Sequence, residues 1–313
     1  MMMSGFRVAS LFLCYSVIGL GGDYVEDAFA QTAYDDDRFE YDFAQDFDVD
    51  VDVQVEVDPE IVVHVRNGGG SCSFEVDRTL NIPASLANQL AVHAGSGELN
   101  IEGRQGLNHI EVVGAVCASR EEYLDDLTLS VDRNGSEIIL SAHYPESSRR
   151  SWSGNNTAKI DLTILVPLGM DLDIEDSSGG MEISGSGALR IDDSSGEIEV
   201  RGASGSVWID DSSGSLRVSG VSGDLEVIDG SGSITIEDVR GSVTLNDGSG
   251  SIQVSEVGQD VLVDDDGSGS ISVTNVAGNF TVSDDGSGSI SHSGVEGSVN
   301  VPAKKERRRR RGN

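Results

Sequence analysis

The residues best placed to do chemistry in this 313-residue chain are aspartates. The phrase Asp-Gly-Ser-Gly-Ser-Ile begins at Asp229, Asp247, Asp266 and Asp285, and a shorter form, Asp-Ser-Ser-Gly, begins at Asp176, Asp193 and Asp211. Successive aspartates are 17, 18, 18, 18, 19 and 19 residues apart. Oxygen donors repeated at a fixed period suit a hard divalent cation such as Ca²⁺. Stacked at the spacing of adjacent strands, about 4.8 Å, two such charges repel by about 0.9 kcal/mol even at the dielectric of water. A bound cation would relieve that repulsion, so Asp211, Asp229, Asp247, Asp266 and Asp285 form a candidate Ca²⁺-binding edge. The alternative is a row of carboxylates that splay into water and are screened by salt. The Gly-Gly-x-Gly-x-Asp nonapeptide of calcium-binding β-rolls is absent. No other cofactor is expected.

Nothing else in the chain has the spacing of a catalytic set. His64, His93, His109, His143 and His292 are scattered and lack metal-ligand spacing. Lys159 is the sole lysine before the C-terminal tail and follows no glycine-rich phosphate loop. No Gly-x-Ser-x-Gly elbow occurs, and the many Ser-Gly pairs read as corner chemistry. The expectation is a protein that is not an enzyme. A carbohydrate-active enzyme is carried only because parallel β-helices can host one.

The element that must carry the aspartates is a repeat, and a fixed period of this length marks a solenoid. Between Gly232 and Asp247 the apolar residues are Ile234, Ile236, Val239, Val243 and Leu245. The pairs 234/236 and 243/245 have the period of two that puts alternate side chains on one face of a strand. The next copies match column by column, with Ile252, Val254, Val257, Val261 and Val263, then Ile271, Val273, Val276, Phe280 and Val282. One copy cannot bury its apolar face alone, whereas stacked copies bury a continuous column. The expected fold is all-β: a parallel β-solenoid over 171–301 with about 18 residues and two short strands per coil. Outward strand positions are expected at Arg217, Thr235, Gln253, Ser272 and Ser291 on one side, and at Trp208, Glu226, Thr244, Leu262 and Thr281 on the other. These columns are mixed and mostly small, unlike the carboxylate clusters of polysaccharide-cleaving β-helices. Trp208 is the candidate partner-binding residue, because a partly exposed Trp can anchor a protein or stack on a sugar; the plainer reading is local packing. His292 falls in an inward column of the last coil and reads as a half-exposed cap.

Residues 1–30 read as a secretory signal: Arg7, an apolar run from Val8 to Leu20, and Ala28-Phe29-Ala30 before Gln31. The run is short for a membrane span. Removing it takes away three acids and one arginine and moves the net charge from −33 to −31. Such a charge excludes nonspecific nucleic-acid binding by the acidic body. Cys72 and Cys117 are then the remaining cysteines, an even pair that in an exported chain suggests one disulfide; two separate buried thiols are the alternative. The expected location is across the inner membrane, in the periplasm, the outer envelope or at the cell surface.

Residues 31–58 form an acidic leader. Val49, Val51, Val53, Val55 and Val57 alternate with acids and Gln54, stopped by Pro59. This is either a half-buried strand that pairs with an edge of the body or a partner, or a solvated acidic tail. Residues 59–170 read as an irregular, β-rich opening of the same solenoid. Ser96–Gly103 reads as one coil strand and His109–Gly114 as the next, Leu127–Leu140 as a hairpin turning at Asn134-Gly135, and Ser119–Asp126 as a short helix. Residues 302–313 are a basic tail containing Arg307, Arg308, Arg309, Arg310 and Arg311. Such blocks are solvated, or dock on an anionic surface.

Three stretches carry a family resemblance: Gly-Glu-Leu-Asn-Ile-Glu-Gly at 97–103, Ile-Asp-Leu-Thr-Ile-Leu-Val-Pro at 160–167, and the train of Ser-Gly-x-apolar-x-apolar units from Ser195 onward. In this order, over roughly residues 75–300, the chain resembles the "putative adhesin" family of bacterial envelope proteins, a domain of unknown function. The resemblance implies a β-solenoid displayed in or on the cell envelope and brings no active site with it. The expected role is an adhesin-like interaction module whose partner is an envelope or cell-surface protein or polysaccharide. The alternative is a periplasmic structural or regulatory scaffold that self-associates through open solenoid ends.

Overall fold

The computed structural model describes residues 62–67, 72–144 and 157–302, with the backbone alone for the first of these segments. The signal, the leader strand and the arginine tail lie outside the described residues.

The regular part is the solenoid that the period requires. Each coil supplies one strand to each of two sheets. The first coils are β3 (Gln89–His93) with β4 (Leu99–Arg104) and β9 (Asp171–Asp176) with β10 (Met181–Ser184). Next come β11 (Leu189–Asp193) with β12 (Gly196–Arg201), β13 (Val207–Asp211) with β14 (Gly214–Val221), and β15 (Leu225–Asp229) with β16 (Gly232–Val239). Then follow β17 (Val243–Asp247) with β18 (Gly250–Val257), β19 (Val261–Asp266) with β20 (Gly269–Val276), and β21 (Phe280–Asp285) with β22 (Gly288–Val295), before the chain reaches β23 (Val299–Asn300). Pairing from β9 onward is parallel and residue-to-residue, so Ile234 lies beside Ile252 and Ile252 beside Ile271. The expected apolar positions, among them Ile234, Ile236, Val239, Val243 and Leu245, are buried in one continuous core between the sheets. Both outward columns also stack as expected, Arg217–Thr235–Gln253–Ser272–Ser291 on one sheet and Trp208–Glu226–Thr244–Leu262–Thr281 on the other. The 19-residue spacings have a local cause: the register shifts between Leu245 and Asn246, so Asn246 pairs with Asp265 and Asp264 is the extra residue.

The corner glycines are obligatory where coils touch. Gly250 has φ +154°, and a Cβ there would run into the backbone carbonyl of Gly232 in the preceding coil. Gly232 stands in the same relation to Gly214. A side chain at either position would force the coils apart.

The opening is not a simple series of coils. Beyond β3 and β4 it includes β2 (Phe74–Pro83), β5 (His109–Ala118), β7 (Glu137–His143) and β8 (Ala158–Pro167). Spatially, β7 and β8 form the coil outside β3 and β4, with β3 parallel to both β7 and β9, and β4 parallel to both β8 and β10. The chain therefore lays down β3 and β4, moves outward, returns to make β7 and β8, and then crosses over the earlier coil to begin β9. Two expectations are corrected. His109–Gly114 belongs to β5, which is not the coil next to Ser96–Gly103 but an antiparallel neighbour of β8 and β2. Ser119–Asp126 holds only a 3₁₀ turn, Glu121–Tyr123. The hairpin at Asn134-Gly135 is present, joining β6 (Thr128–Asn134) to β7, with Gly135 at φ +61°. Together with β1 (Val62–Asn67), antiparallel to β2, these strands close this end of the solenoid. Cys72 and Cys117 are bonded, with Cα atoms 5.2 Å apart, and tie the run into β2 to β5. The guanidinium of Arg78 on β2 donates to the carbonyls of Leu124 and Leu127, both at 2.7 Å.

Two outcomes follow. Gly250→Ala combines backbone strain with a carbonyl collision and lowers stability by about 2–5 kcal/mol, measured by denaturant unfolding; a loss below a few tenths would contradict the tight corner. Replacing Cys72 and Cys117 together by Ser releases a closed loop of 45 residues and costs about 3–4 kcal/mol in the chain-entropy model, visible as a lowered thermal midpoint.

Candidate functional site

Two places in the solenoid concentrate polar chemistry, and they lie on opposite faces of one sheet. The strands of that sheet follow the pattern apolar–outward–apolar–outward–Asp. In β17, Val243 and Leu245 point in, Thr244 and Asn246 point out, and Asp247 points in again. A carboxylate thus occupies the last inward position of each strand. Asp176, Asp193, Asp211, Asp229, Asp247 and Asp266 are between 1% and 7% exposed, and Asp285 is half-buried.

This corrects the expected acidic edge. The aspartates named as a Ca²⁺ edge do stack, Asp211 beside Asp229, Asp229 beside Asp247, Asp247 beside Asp266 and Asp266 beside Asp285. They stack inside the corner and not on a water-facing rim. The signal was present in the sequence: Asp247 is two residues beyond Leu245, as Leu245 is two beyond Val243. Among the described residues, no three His, Cys, Asp or Glu side chains converge in a way that could hold a metal ion.

The turn after the strand satisfies one oxygen of Asp193, Asp211, Asp229 and Asp247. The N–H of Ser213 donates to Asp211 Oδ1 at 2.9 Å, Ser231 to Asp229 at 3.0 Å, Ser249 to Asp247 at 3.0 Å, and Ser195 to Asp193 at 3.2 Å. Aspartate bonding to the backbone two residues on is the turn-forming habit of this side chain. The other oxygen, Oδ2 of Asp193, Asp211, Asp229 and Asp247, is buried without a partner, as are both carboxylate oxygens of Asp176 and Asp266. Burial pushes the Asp176, Asp211 and Asp247 carboxyls up to about 6, against the opposing pull of backbone N–H groups, and neighbouring aspartates in the stack add to the rise. Desolvation likewise raises Asp193, Asp229 and Asp266. The groups acting on these carboxyls are backbone amides and other acids; no cation is among them.

The outward face of the same sheet holds Trp208. It is neither buried nor fully exposed. The guanidinium of Arg190, one coil earlier, lies 3.9 Å from the ring centroid, a cation–π contact that covers one ring face. Arg190 is itself held by Asp173 at 3.6 Å and Asp192 at 3.7 Å. A shallow groove runs past the ring, lined by Asp171, Asp173, Arg190, Trp208, Asp224 and Glu226. Glu226 stands beside Trp208 as the sequence column expects, whereas Arg190, Asp171, Asp173 and Asp224 were not singled out from sequence; extending the column register one coil back places Arg190 directly beside Trp208. On the other sheet the outward charges are also paired, Arg201 with Glu182 and with Glu199 at 2.5 Å, and Arg217 with Glu199 at 3.9 Å. His292 is exposed in the last coil, stacked beside Val273 with its ring centroid 6.0 Å from that of Phe280.

No family model matches the chain, and no curated protein matches it. Solved structures to which it is similar include a putative adhesin from Bacteroides fragilis, at 12% identity and a TM-score of 0.35, covering 72% of this chain and 97% of that one. A putative cell adhesion protein from Clostridium sporogenes matches at 12% identity and a TM-score of 0.29, with the same coverage. A putative lipid binding protein from Parabacteroides distasonis matches at 16% identity and a TM-score of 0.32, covering 72% of this chain and 94% of that one. At such identities and TM-scores these likenesses carry no argument about the role of this chain; the solenoid stands on its own strand pairing.

Proposed function

We propose that this chain is an exported, non-enzymatic β-solenoid acting as an adhesin-like interaction module of the cell envelope, with the outer face around Trp208 as its docking surface. The observation that carries the reading is Trp208 itself. It is a large aromatic side chain, half-exposed on the outer face of its sheet, held by Arg190 and bordered by carboxylates that can accept hydrogen bonds from hydroxyl or amide groups. Aromatic and arginine side chains of this kind dominate the energetics of recognition surfaces. The Cys72–Cys117 bond supports export, since such bonds persist in oxidising compartments. Outside the groove, the outward columns are short polar residues and paired charges, which suit a display surface better than a reaction centre.

A second reading, a self-associating periplasmic scaffold, is favoured by the far end of the solenoid. There β22 forms an eight-residue outer strand of its sheet and β23 that of the other, with Val299 exposed and Ile290 and Val295 only partly covered. Unpaired edges of this kind invite another strand.

The test uses the tagged full-length chain in intact cells and, purified, isolated envelope polysaccharide as the probe. The adhesin-like reading expects external protease to cut the chain on intact cells, and Trp208→Ala to weaken retention in polysaccharide affinity gels by about tenfold or more. Protection from protease together with concentration-dependent mass in light scattering would replace it with the scaffold reading.

A further inference from the structure

Among the described residues, the column of inward aspartates holds most of the buried side-chain oxygens that lack a hydrogen-bond partner. A row of acids is not in itself a site. Here, however, Asp211, Asp229 and Asp247 are each at least 97% buried, and each aims an unpartnered Oδ2 into the same corner. Burying an isolated carboxylate is costly, and such a group normally takes up a proton instead. Stacking compounds the cost, because each charge would stand one coil from the next without a cation between them.

The surroundings offer no counter-charge. Outward neighbours on the same sheet are Glu175, Asp192, Asp210, Asp265 and Asp284, with Asp264 bulged beside them; Arg190 reaches only Asp192, at 3.7 Å. The facing strands of the other sheet turn Met181, Ile198, Leu216, Ile234, Ile252 and Ile271 into the core, none of which titrates. At the β3 end Ala94 stands where the aspartate would be, and the groups nearby are the Tyr144 hydroxyl, bound at Ser96, and His93, which lies 3.7 Å from Glu175. At the other end the column opens at half-buried Asp285.

We propose that this column is a chain of proton-binding sites, in which a protonated aspartate of one coil donates its O–H to the ionised carboxylate of the next. The ligand is the proton, and the geometry suits it. Coils repeat at about 4.8 Å. A carboxyl turned along the stack would bring Oδ2 of one coil to about 2.6 Å from Oδ1 of the next, the length of an O–H···O⁻ bond. The serine N–H that holds Oδ1 leaves Oδ2 free for this bond. A hard cation would need six or more oxygens, whereas Asp193, Asp211, Asp229 and Asp247 each have one left to give. Proton uptake makes the stack a structure stabilised by acid. A carboxyl whose folded pKa is raised above its unfolded value of 3.8 adds its full stabilisation below about pH 4 and loses it as pH rises through about 6. The direction is opposite to that of proteins held by ionised carboxylates.

The experiment compares the full chain with Asp229→Asn and with a triple variant, Asp211→Asn, Asp229→Asn and Asp247→Asn, by thermal melting at about pH 5 and about pH 8, and by infrared titration of the carboxylic-acid C=O band. The expected result is a wild-type midpoint lower at about pH 8 than at about pH 5. The drop should shrink in the single variant and largely vanish in the triple, because asparagine supplies the donor without the charge. The wild-type acid band should persist to about pH 6, well above ordinary aspartate. The idea is overturned if the wild-type midpoint is the same at both pH values, if Asp229→Asn keeps the whole drop, or if the acid band is lost by about pH 4. It is also overturned if millimolar Ca²⁺ removes the drop and the acid band together, which would return the column to a metal. Should the triple variant not fold, the single variant and the wild-type infrared titration decide between these outcomes.

Discussion

Everything in this fold depends on one hydrogen-bonding rule: from β9 onward each coil pairs with the next in parallel, residue against equivalent residue. Such a ladder makes every position stack on its own kind, so the question at each site is whether that side chain tolerates itself at the strand spacing. Ile, Val and Leu do, and they form the core. Glycine is required where the corners touch. Polar corner residues also work when the side-chain oxygen of one coil accepts the next coil's N–H, as Asp224 does for Ser242 and Asp260 for Asn279. The repetitive sequence is the consequence of this rule, because a substitution acceptable once must be acceptable against its own copies above and below.

The regular coils were readable because the information that fixes them is local. Pairs such as Ile234/Ile236 and Val243/Leu245 specify strand and face within a few residues, and the period then supplies the neighbours. The same alternation extended one step placed Asp247 inside. It was passed over because a charged residue carries a strong expectation of exposure. The opening was less legible for a different reason. Whether β5 runs beside β4 or antiparallel to β8 depends on pairing between residues about fifty apart, as with Glu111 and Leu165, and no local pattern encodes that choice. Arg190 was overlooked because its partner Trp208 lies a whole coil away in sequence and one strand away in space.

The two faces of the 11-stranded sheet divide the electrostatics between them. Outward charges such as Arg190, Asp173 and Asp192 are in reach of opposite charges and of water, so their pairing contributes little to stability and leaves them available to a ligand. The inward carboxyls lie in the hydrophobic core, where an unpaired charge is most expensive. A chain so rich in acids therefore carries two kinds of them, those that stay charged in water and those whose charge is opposed by burial in the corner.

The crossed order at the opening has a mechanical meaning. At the far end, β22 and β23 have a neighbour on one side only among the described residues, and under tension they can leave a row of bonds at a time, as a zip opens. The coil of β3 and β4 is clasped on both sides, by β7 and β8 and by β9 and β10, although all four of those strands follow it in the chain. Beyond it, the Cys72–Cys117 bond ties the run into β2 to β5 covalently. Peeling from the far end therefore frees one strand at a time, whereas the run into β2 cannot leave β5 without breaking a covalent bond.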